Sequence, residues 1–195
     1  PALREVILER GPEQVFAVVA TAGTTNFGII DDLASVAEVC REFGIWFHVD
    51  GAYGGAAALV ASLRPLLAGI EQADSVSVDG HKWLYTAASA SVLVVRDPSR
   101  LADSFAVDPS YVYRDPEETG AGVHSAFFAP TFSKPFDALK IWLSLLAFGE
   151  SAIARRIEHD VALAAYLGRR VEERPGFQLV TPPSLSICCF RYRPG

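Results

Sequence analysis

Short runs of apolar residues alternate with helix-like stretches over the first half of the chain. Val15 to Ala20 is a continuous apolar run of strand length, and the Gly, Thr and Asn residues of Thr21 to Gly28 end it as a loop. Asp32 is placed to cap a helix whose apolar residues Leu33, Val36, Ala37 and Cys40 fall at i, i+3, i+4 and i+7, and Gly44 closes it. Ile45 to Val49, Ser75 to Val78 and Ser91 to Val95 read as further buried strands. Helices between short apolar runs up to about Arg96 predict an α/β fold, built on a mainly parallel sheet with crossover helices. Three of the strand ends then face loops rich in polar residues.

The texture changes after Asp97-Pro98. Asp108 to Lys134 mixes Pro, Gly, acids and aromatics without a sustained period, which predicts a long loop of the kind kept for function. Helices are expected over Phe136 to Ala147 and Ser151 to about Glu173, the second amphipathic through Ile153, Ile157, Val161 and Ala164 or Ala165. Pro175-Gly176 ends it, and Phe177 to Val180 and Leu185 to Phe190 read as strands of a second, smaller unit. The expected division is therefore 1–150 for a large domain and 151–195 for a linking helix and the start of a small α+β domain. With no Met in the sequence and an end just after a strand, the chain reads as an excerpt of a longer protein.

Charge and composition narrow the partners. Half of the 195 residues are apolar, the formal charge is -6 and no Lys/Arg cluster occurs, so nothing offers a footprint for nucleic acid or an anionic membrane. No apolar run approaches the roughly 20 residues of a membrane span, and no basic segment leads an apolar one at the N-terminus. Small molecules are the expected partners and the cytoplasm the expected compartment. Cys40, Cys188 and Cys189 have no Cys or His at metal-ligand spacing and read as structural thiols, with no metal.

The candidate chemistry lies at two strand ends. Phe47-His48-Val49-Asp50 places a carboxylate at the C-terminal end of a buried strand, where α/β folds collect ligands, and such a carboxylate needs a cation to meet it. Gly51-Ala52-Tyr53-Gly54-Gly55 follows, small enough for a flat ligand to lie against the backbone. Ser77-Val78-Asp79-Gly80-His81-Lys82-Trp83 puts a lysine just past a second buried strand, where desolvation would make it a better amine nucleophile. Taken singly, Asp50 reads as a cap or loop acid and Lys82 as a surface lysine. As a pair they match what pyridoxal phosphate (PLP) requires: a lysine to hold the aldehyde, and an acid to keep the ring nitrogen protonated so the ring can accept electrons from the substrate.

The same residues carry a resemblance. Ala20-Thr21-Ala22-Gly23-Thr24-Thr25, Gly28-Ile29-Ile30-Asp31-Asp32-Leu33, His48 to Gly55, Ala73-Asp74-Ser75 on to His81-Lys82-Trp83-Leu84, and Phe136-Asp137-Ala138-Leu139-Lys140-Ile141-Trp142 resemble, in order, the motifs of the group II PLP-dependent amino-acid decarboxylases, the aromatic-L-amino-acid decarboxylases above all. The resemblance implies a fold-type I PLP enzyme, a homodimer with shared active sites, that decarboxylates an aromatic or related L-amino acid to the amine. It implies that Lys82 forms the Schiff base, Asp50 pairs with the ring nitrogen, Ala52 packs on one ring face, Thr25 lies near the cofactor's phenolic oxygen and His81 lies near its phosphate. Thr25 reads equally as a turn residue, His48 as a satisfied core histidine and Asp31 as structural. Oxidative deamination, another carbon–carbon lyase reaction and a non-catalytic fragment are the alternatives.

Several positions depart from the family pattern. The family's ring-stacking His and phosphate-binding turn, which belong to a preceding half, are not in this sequence. Gly51 stands for the commoner Ala, Asp79-Gly80 stands where many relatives have Asn-Pro, and Lys134 precedes Pro135-Phe136 where an Arg-containing stretch is usual. Many members place a catalytic Tyr on the long loop, yet no Tyr occurs from Gly120 to Thr131; Tyr111 and Tyr113 lie earlier. His124 is the one ionisable side chain of that stretch, and its ordinary pKa near 6.5 suits a proton donor at neutral pH. His124 is therefore the expected loop acid, against the reading of an exposed histidine with no role.

Overall fold

Four strands, β1 (Ala17–Thr21), β2 (Trp46–Asp50), β3 (Ser75–Asp79) and β4 (Ser91–Val95), form one sheet in that order. They belong to a computed structural model that describes residues 2–105, 128–129 and 135–194. β1, β2 and β3 run parallel, with Thr21 beside Asp50 and Asp50 beside Ser77, while β4 runs antiparallel to β3. The sheet is thus mainly parallel, as the alternation of helices and apolar runs predicts. β1 starts two residues later than its apolar run, because the Val15 amide bonds to Pro12 O at 3.2 Å and closes the short turn Pro12–Gln14.

The helices are α1 (Ala2–Arg10), α2 (Leu33–Phe43), α3 (Ser99–Phe105), α4 (Asp137–Phe148) and α5 (Glu150–Glu172). In α2 the predicted cap is present: Asp32 accepts from the Ser35 amide at 3.1 Å and from Ser35 Oγ at 2.6 Å. At the other end Gly44 takes a left-handed φ of 67° that lets its amide reach the last carbonyls, and only there does the helix need a residue without Cβ. Leu33, Ala37 and Cys40 face inward, as the i, i+4, i+7 spacing requires.

Phe47 and Val49 of β2 join Leu33, Ala37 and Cys40 of α2 and Ile153 and Ile157 of α5 in one core. Each large apolar side chain buried this way contributes about 1.5–3 kcal/mol. α5 also lies against the 3-10 stretch Gly54–Leu59, which follows β2. By contrast α4 has no buried residue, and Trp142, Leu143 and Leu146 stay exposed. Among the described residues no helix is long and apolar enough to cross a membrane.

Beyond α5 two strands, β5 (Phe177–Leu179) and β6 (Phe190–Tyr192), pair antiparallel. The strand expected over Leu185 to Phe190 is mostly not one. Leu185 has φ 51° and is buried, and the Ser184 and Ile187 backbones bond to each other in a tight turn that drives Leu185 against the loops after β1 and β2. Burial of one apolar side chain there outweighs the extended backbone that the composition favours.

Candidate active site

The C-terminal ends of β1, β2 and β3 are tied together by backbone hydrogen bonds. The Ala22 amide donates to Asp50 O at 2.8 Å, and the Asp79 amide donates to Ala52 O at 3.0 Å, so the turns leaving adjacent strands share one rim. Asp31 Oδ2 accepts from the Thr21 amide at 2.7 Å and holds the end of β1, the structural role expected of it. Thr25 lies in the loop that follows β1 and is exposed; its neighbour Thr24, through Oγ1, accepts the Ile29 amide at 3.1 Å and shapes the turn.

Asp50 ends β2. Its Oδ1 accepts from the Ala52 amide at 3.1 Å and from Ser77 Oγ at 3.5 Å, while Oδ2 accepts from no described residue. One carboxylate oxygen is therefore fixed and the other is open to a ligand. His48, on the same face of β2, meets Ser75 Oγ through Nδ1 at 2.7 Å and Ser77 Oγ through Nε2 at 3.5 Å. Both ring nitrogens are satisfied within the sheet, which fits the reading of His48 as a core histidine.

The small residues after Asp50 serve the chain's own packing. A Cβ on Gly51 would lie 2.9 Å from Ser77 O, one on Gly54 2.3 Å from Ala22 O, and one on Gly55 2.9 Å from Val78 Cγ2. Gly51, Gly54 and Gly55 are buried against neighbouring backbone and side chain, and Ala52 and Tyr53 are the half-exposed members of the run. The close approach to Ser77 O also accounts for Gly at 51, since an Ala would force the two strand ends apart. Of the run, only Ala52 and Tyr53 keep surface that is not taken up by the chain's own packing.

The lysine turn begins at Asp79. Lys82 Nζ pairs with Asp79 Oδ2 at 2.9 Å, His81 Nε2 lies 3.6 Å from the same oxygen, and Ser91 Oγ donates to Oδ1 at 2.6 Å. Burial alone would raise the Asp79 pKa, but the hydrogen bond from Ser91 and the contacts with Lys82 and His81 outweigh it and hold the carboxyl below its ordinary value. His81 Nδ1 is 3.1 Å from Ala90 O, and because a carbonyl only accepts, that nitrogen carries a proton. Trp83 is buried with its ring 4.6 Å from that of Tyr53, whose hydroxyl meets Ser186 Oγ at 2.5 Å. The desolvated amine expected from the sequence is not what these residues provide: the Lys82 side chain is 38% exposed and ion-paired, because the turn carries it to the rim and Asp79 receives it.

Lys82, His81, Asp50, Ala52 and Thr25 therefore all lie on the turns and loops that leave one edge of the sheet. His124, with Tyr111, Tyr113 and Lys134, falls outside the described residues. Ser77 and Tyr53, which touch Asp50 and Trp83, are residues of this rim that sequence reasoning passed over, and Asp79 stood out there only as a departure from the family pattern. Ser77 could have been found from its place two residues before Asp79 on the strand beside Asp50. Cys40 is buried, and burial first and Asp74 second push its thiol pKa up, as suits a structural thiol.

This donor set suits PLP. An amine and an imidazole share Asp79 on one turn, Asp50 on the adjacent strand keeps Oδ2 without a partner, and Thr86 Oγ1, buried under the lysine turn beside Gly80, has no hydrogen-bond partner among the described residues.

Comparison with known proteins agrees with the geometry. Residues 1–193 match the model of the pyridoxal-dependent decarboxylase conserved domain. A tryptophan decarboxylase of Camptotheca acuminata is 36% identical over 177 residues, 91% of this chain and 35% of its own length. A cysteine sulfinic acid decarboxylase of Mus musculus is 36% identical over 193 residues, 98% of this chain and 39% of its own. The solved structure of Oryza sativa TDC with PLP and tryptamine superposes with a TM-score of 0.90 at 32% identity, covering 98% of this chain and 39% of that one. The chain thus spans well under half the length of the proteins it matches. It belongs to the pyridoxal-dependent decarboxylase family.

Proposed function

We propose that this chain is the lysine-bearing part of a PLP-dependent enzyme that removes CO₂ from an L-amino acid, aromatic or related, with Lys82 as the covalent anchor. The observation that carries this reading is the shared rim: Asp50 and the Lys82 turn leave adjacent parallel strands joined by the Asp79 amide and Ala52 O at 3.0 Å. The division into a large-domain part, 1–150, and the start of a small domain, 151–195, is part of the same proposal. So are a cytoplasmic homodimer with shared sites and a small-molecule amino acid as its partner.

When bound, the cofactor supplies an aldehyde for covalent capture and a ring that takes up the electron pair left as CO₂ departs. Asp50 Oδ2, free while Oδ1 is held by Ala52 and Ser77, would accept from the protonated ring nitrogen. Lys82 Nζ would be the group that holds the aldehyde, with Asp79 as its partner when the cofactor is absent. Asp79 also holds His81 and Ser91, and His81, anchored at Ala90 O, would face the phosphate. Ala52 would pack on one face of the ring and Thr25 would lie near the phenolic oxygen. His124 delivers the proton that completes the amine.

Relatives named for tryptophan and for cysteine sulfinic acid are equally similar to this chain, so the side chain of the substrate is left open within the L-amino acids. A second reading, oxidative deamination to an aldehyde, is favoured by the lack of Tyr from Gly120 to Thr131. The full-length protein, loaded with PLP and offered a panel of L-amino acids, separates the two by mass spectrometry. Loss of CO₂ with the nitrogen retained supports decarboxylation; loss of both supports the second reading; no turnover of any amino acid contradicts both.

A further inference from the structure

The lysine turn is held from outside by one hydrogen bond that the chemistry above does not use. Tyr85, three residues after Lys82, donates its amide to Lys82 O at 3.0 Å and its hydroxyl to Asp160 Oδ2 at 2.6 Å. Asp160 lies on α5, and Arg156, one turn earlier on the same helix, stands 5.7 Å from the centre of the Tyr85 ring. Tyr85 has φ 55°, a left-handed conformation that a bulky residue adopts only when its surroundings impose it. Ser89, at φ 69°, marks a second such point in the same loop. Burial, with Asp160 adding to it, pushes the Tyr85 phenol well above its ordinary pKa, so it is a donor at neutral pH.

A strained turn relaxes unless something holds it. The hydroxyl is the far end of a rigid ring whose other end is the strained Cα, so its bond to Asp160 resists rotation of Tyr85 out of the left-handed region. The neighbouring amides depend on that backbone: Tyr85 N bonds Lys82 O, and Thr86 N bonds Gly80 O at 3.0 Å. We infer that Asp160 is a positioning residue for Lys82, acting through Tyr85 to hold the lysine turn in the conformation that presents Nζ at the rim. The inference rests on the reading of Lys82 as the cofactor lysine. It makes α5, which enters the core through Ile153 and Ile157, a lever on the site.

Hydrogen exchange and PLP capture in the full-length protein test it together. Asp160→Ala and Tyr85→Phe should each raise amide exchange in peptides covering 82–86 roughly tenfold, the worth of one charge-assisted hydrogen bond. Peptides of β2 and of α5 around Ile153 should not change. The same variants should slow covalent capture of added PLP, followed by the visible absorption of the bound cofactor, to a similar degree. Asp160→Asn, which still accepts from the phenol, should restore both readouts. The double variant Tyr85→Phe/Asp160→Ala should be no worse than either single. Unchanged exchange at 82–86, a uniform rise over all peptides, or no rescue by Asn would overturn the inference. Lys82→Ala is the control for the underlying reading: persistent covalent capture in it contradicts Lys82 as the anchor, while the exchange data still decide the role of Asp160.

Discussion

Lys82 Nζ rests 2.9 Å from Asp79 Oδ2, the carboxylate that closes its own strand, and not on Asp50. An acid at position 79, where many relatives have Asn, has a local purpose: it gathers Lys82, His81 and Ser91 onto one side chain. The two carboxylates at the rim therefore differ in their engagement, Asp79 gathering the polar groups of the turn and Asp50 keeping an oxygen open.

Asp79 gives a pH-dependent prediction. Its folded pKa lies below the ordinary value, so its contribution is complete above the unfolded pKa near 3.9 and is lost as pH falls through the folded value. Asp79→Asn should cost about 1–2 kcal/mol at neutral pH, the scale of one or two bonds to a charged group. Denaturant titrations of the two proteins should converge in acid, below about pH 4. A difference that stays constant from pH 7 into acid would refute the assignment.

Asp50 should matter to turnover far more than to cofactor capture, because its proposed partner is the ring nitrogen and it makes no covalent bond. Asp50→Ala is expected to lower kcat by roughly 100-fold or more, the scale of removing one preorganised electrostatic partner, while covalent loading persists. Asp50→Glu should retain more activity than Ala only if the longer side chain still reaches. Single-turnover kinetics beside a loading assay measure both, and near-wild-type turnover in Asp50→Ala would remove the electron-sink argument.

Two glycines separate steric from conformational cost. Gly54→Ala places a Cβ 2.3 Å from the backbone oxygen of Ala22, and should destabilise the fold by about 2 kcal/mol or more because neither backbone can yield. Gly44→Ala meets no atom within 4 Å but keeps a φ of 67°, and should cost only about 1 kcal/mol. Equal losses in chemical denaturation would contradict the packing described at the rim.

Much of this was legible in the chain because local rules and global fold agree. Asp32 and Gly44 bracket α2 by capping chemistry alone, and the apolar run into Asp50 marks a buried strand with an acid at its end. What was not legible depends on contacts distant in sequence. Leu185 leaves the extended state because the place that receives it lies against Gly23 and Gly54. Lys82 lies half in water because Asp79, an unremarkable acid by its type, turns toward it. Gly51, Gly54 and Gly55 look like room for a ligand until their neighbours Ser77, Ala22 and Val78 are seen to fill that room.

His124 carries the prediction on product choice. As the only ionisable side chain from Gly120 to Thr131, it is expected to protonate the α-carbon after CO₂ leaves. His124→Phe in the full-length protein should raise the ratio of aldehyde plus peroxide to amine. An unchanged ratio and rate would assign the proton to another donor and leave His124 as a loop residue.

The most direct test is chemical mapping of the anchor. The chain has three lysines, Lys82, Lys134 and Lys140, and Lys140 is engaged with Asp137 at 2.6 Å on α4. Borohydride reduction of the PLP-loaded full-length protein, followed by peptide mapping, should place the reduced cofactor on Lys82. Recovery of the label on Lys134, on Lys140 or on a lysine outside this stretch, with Lys82 unmodified, would contradict the account.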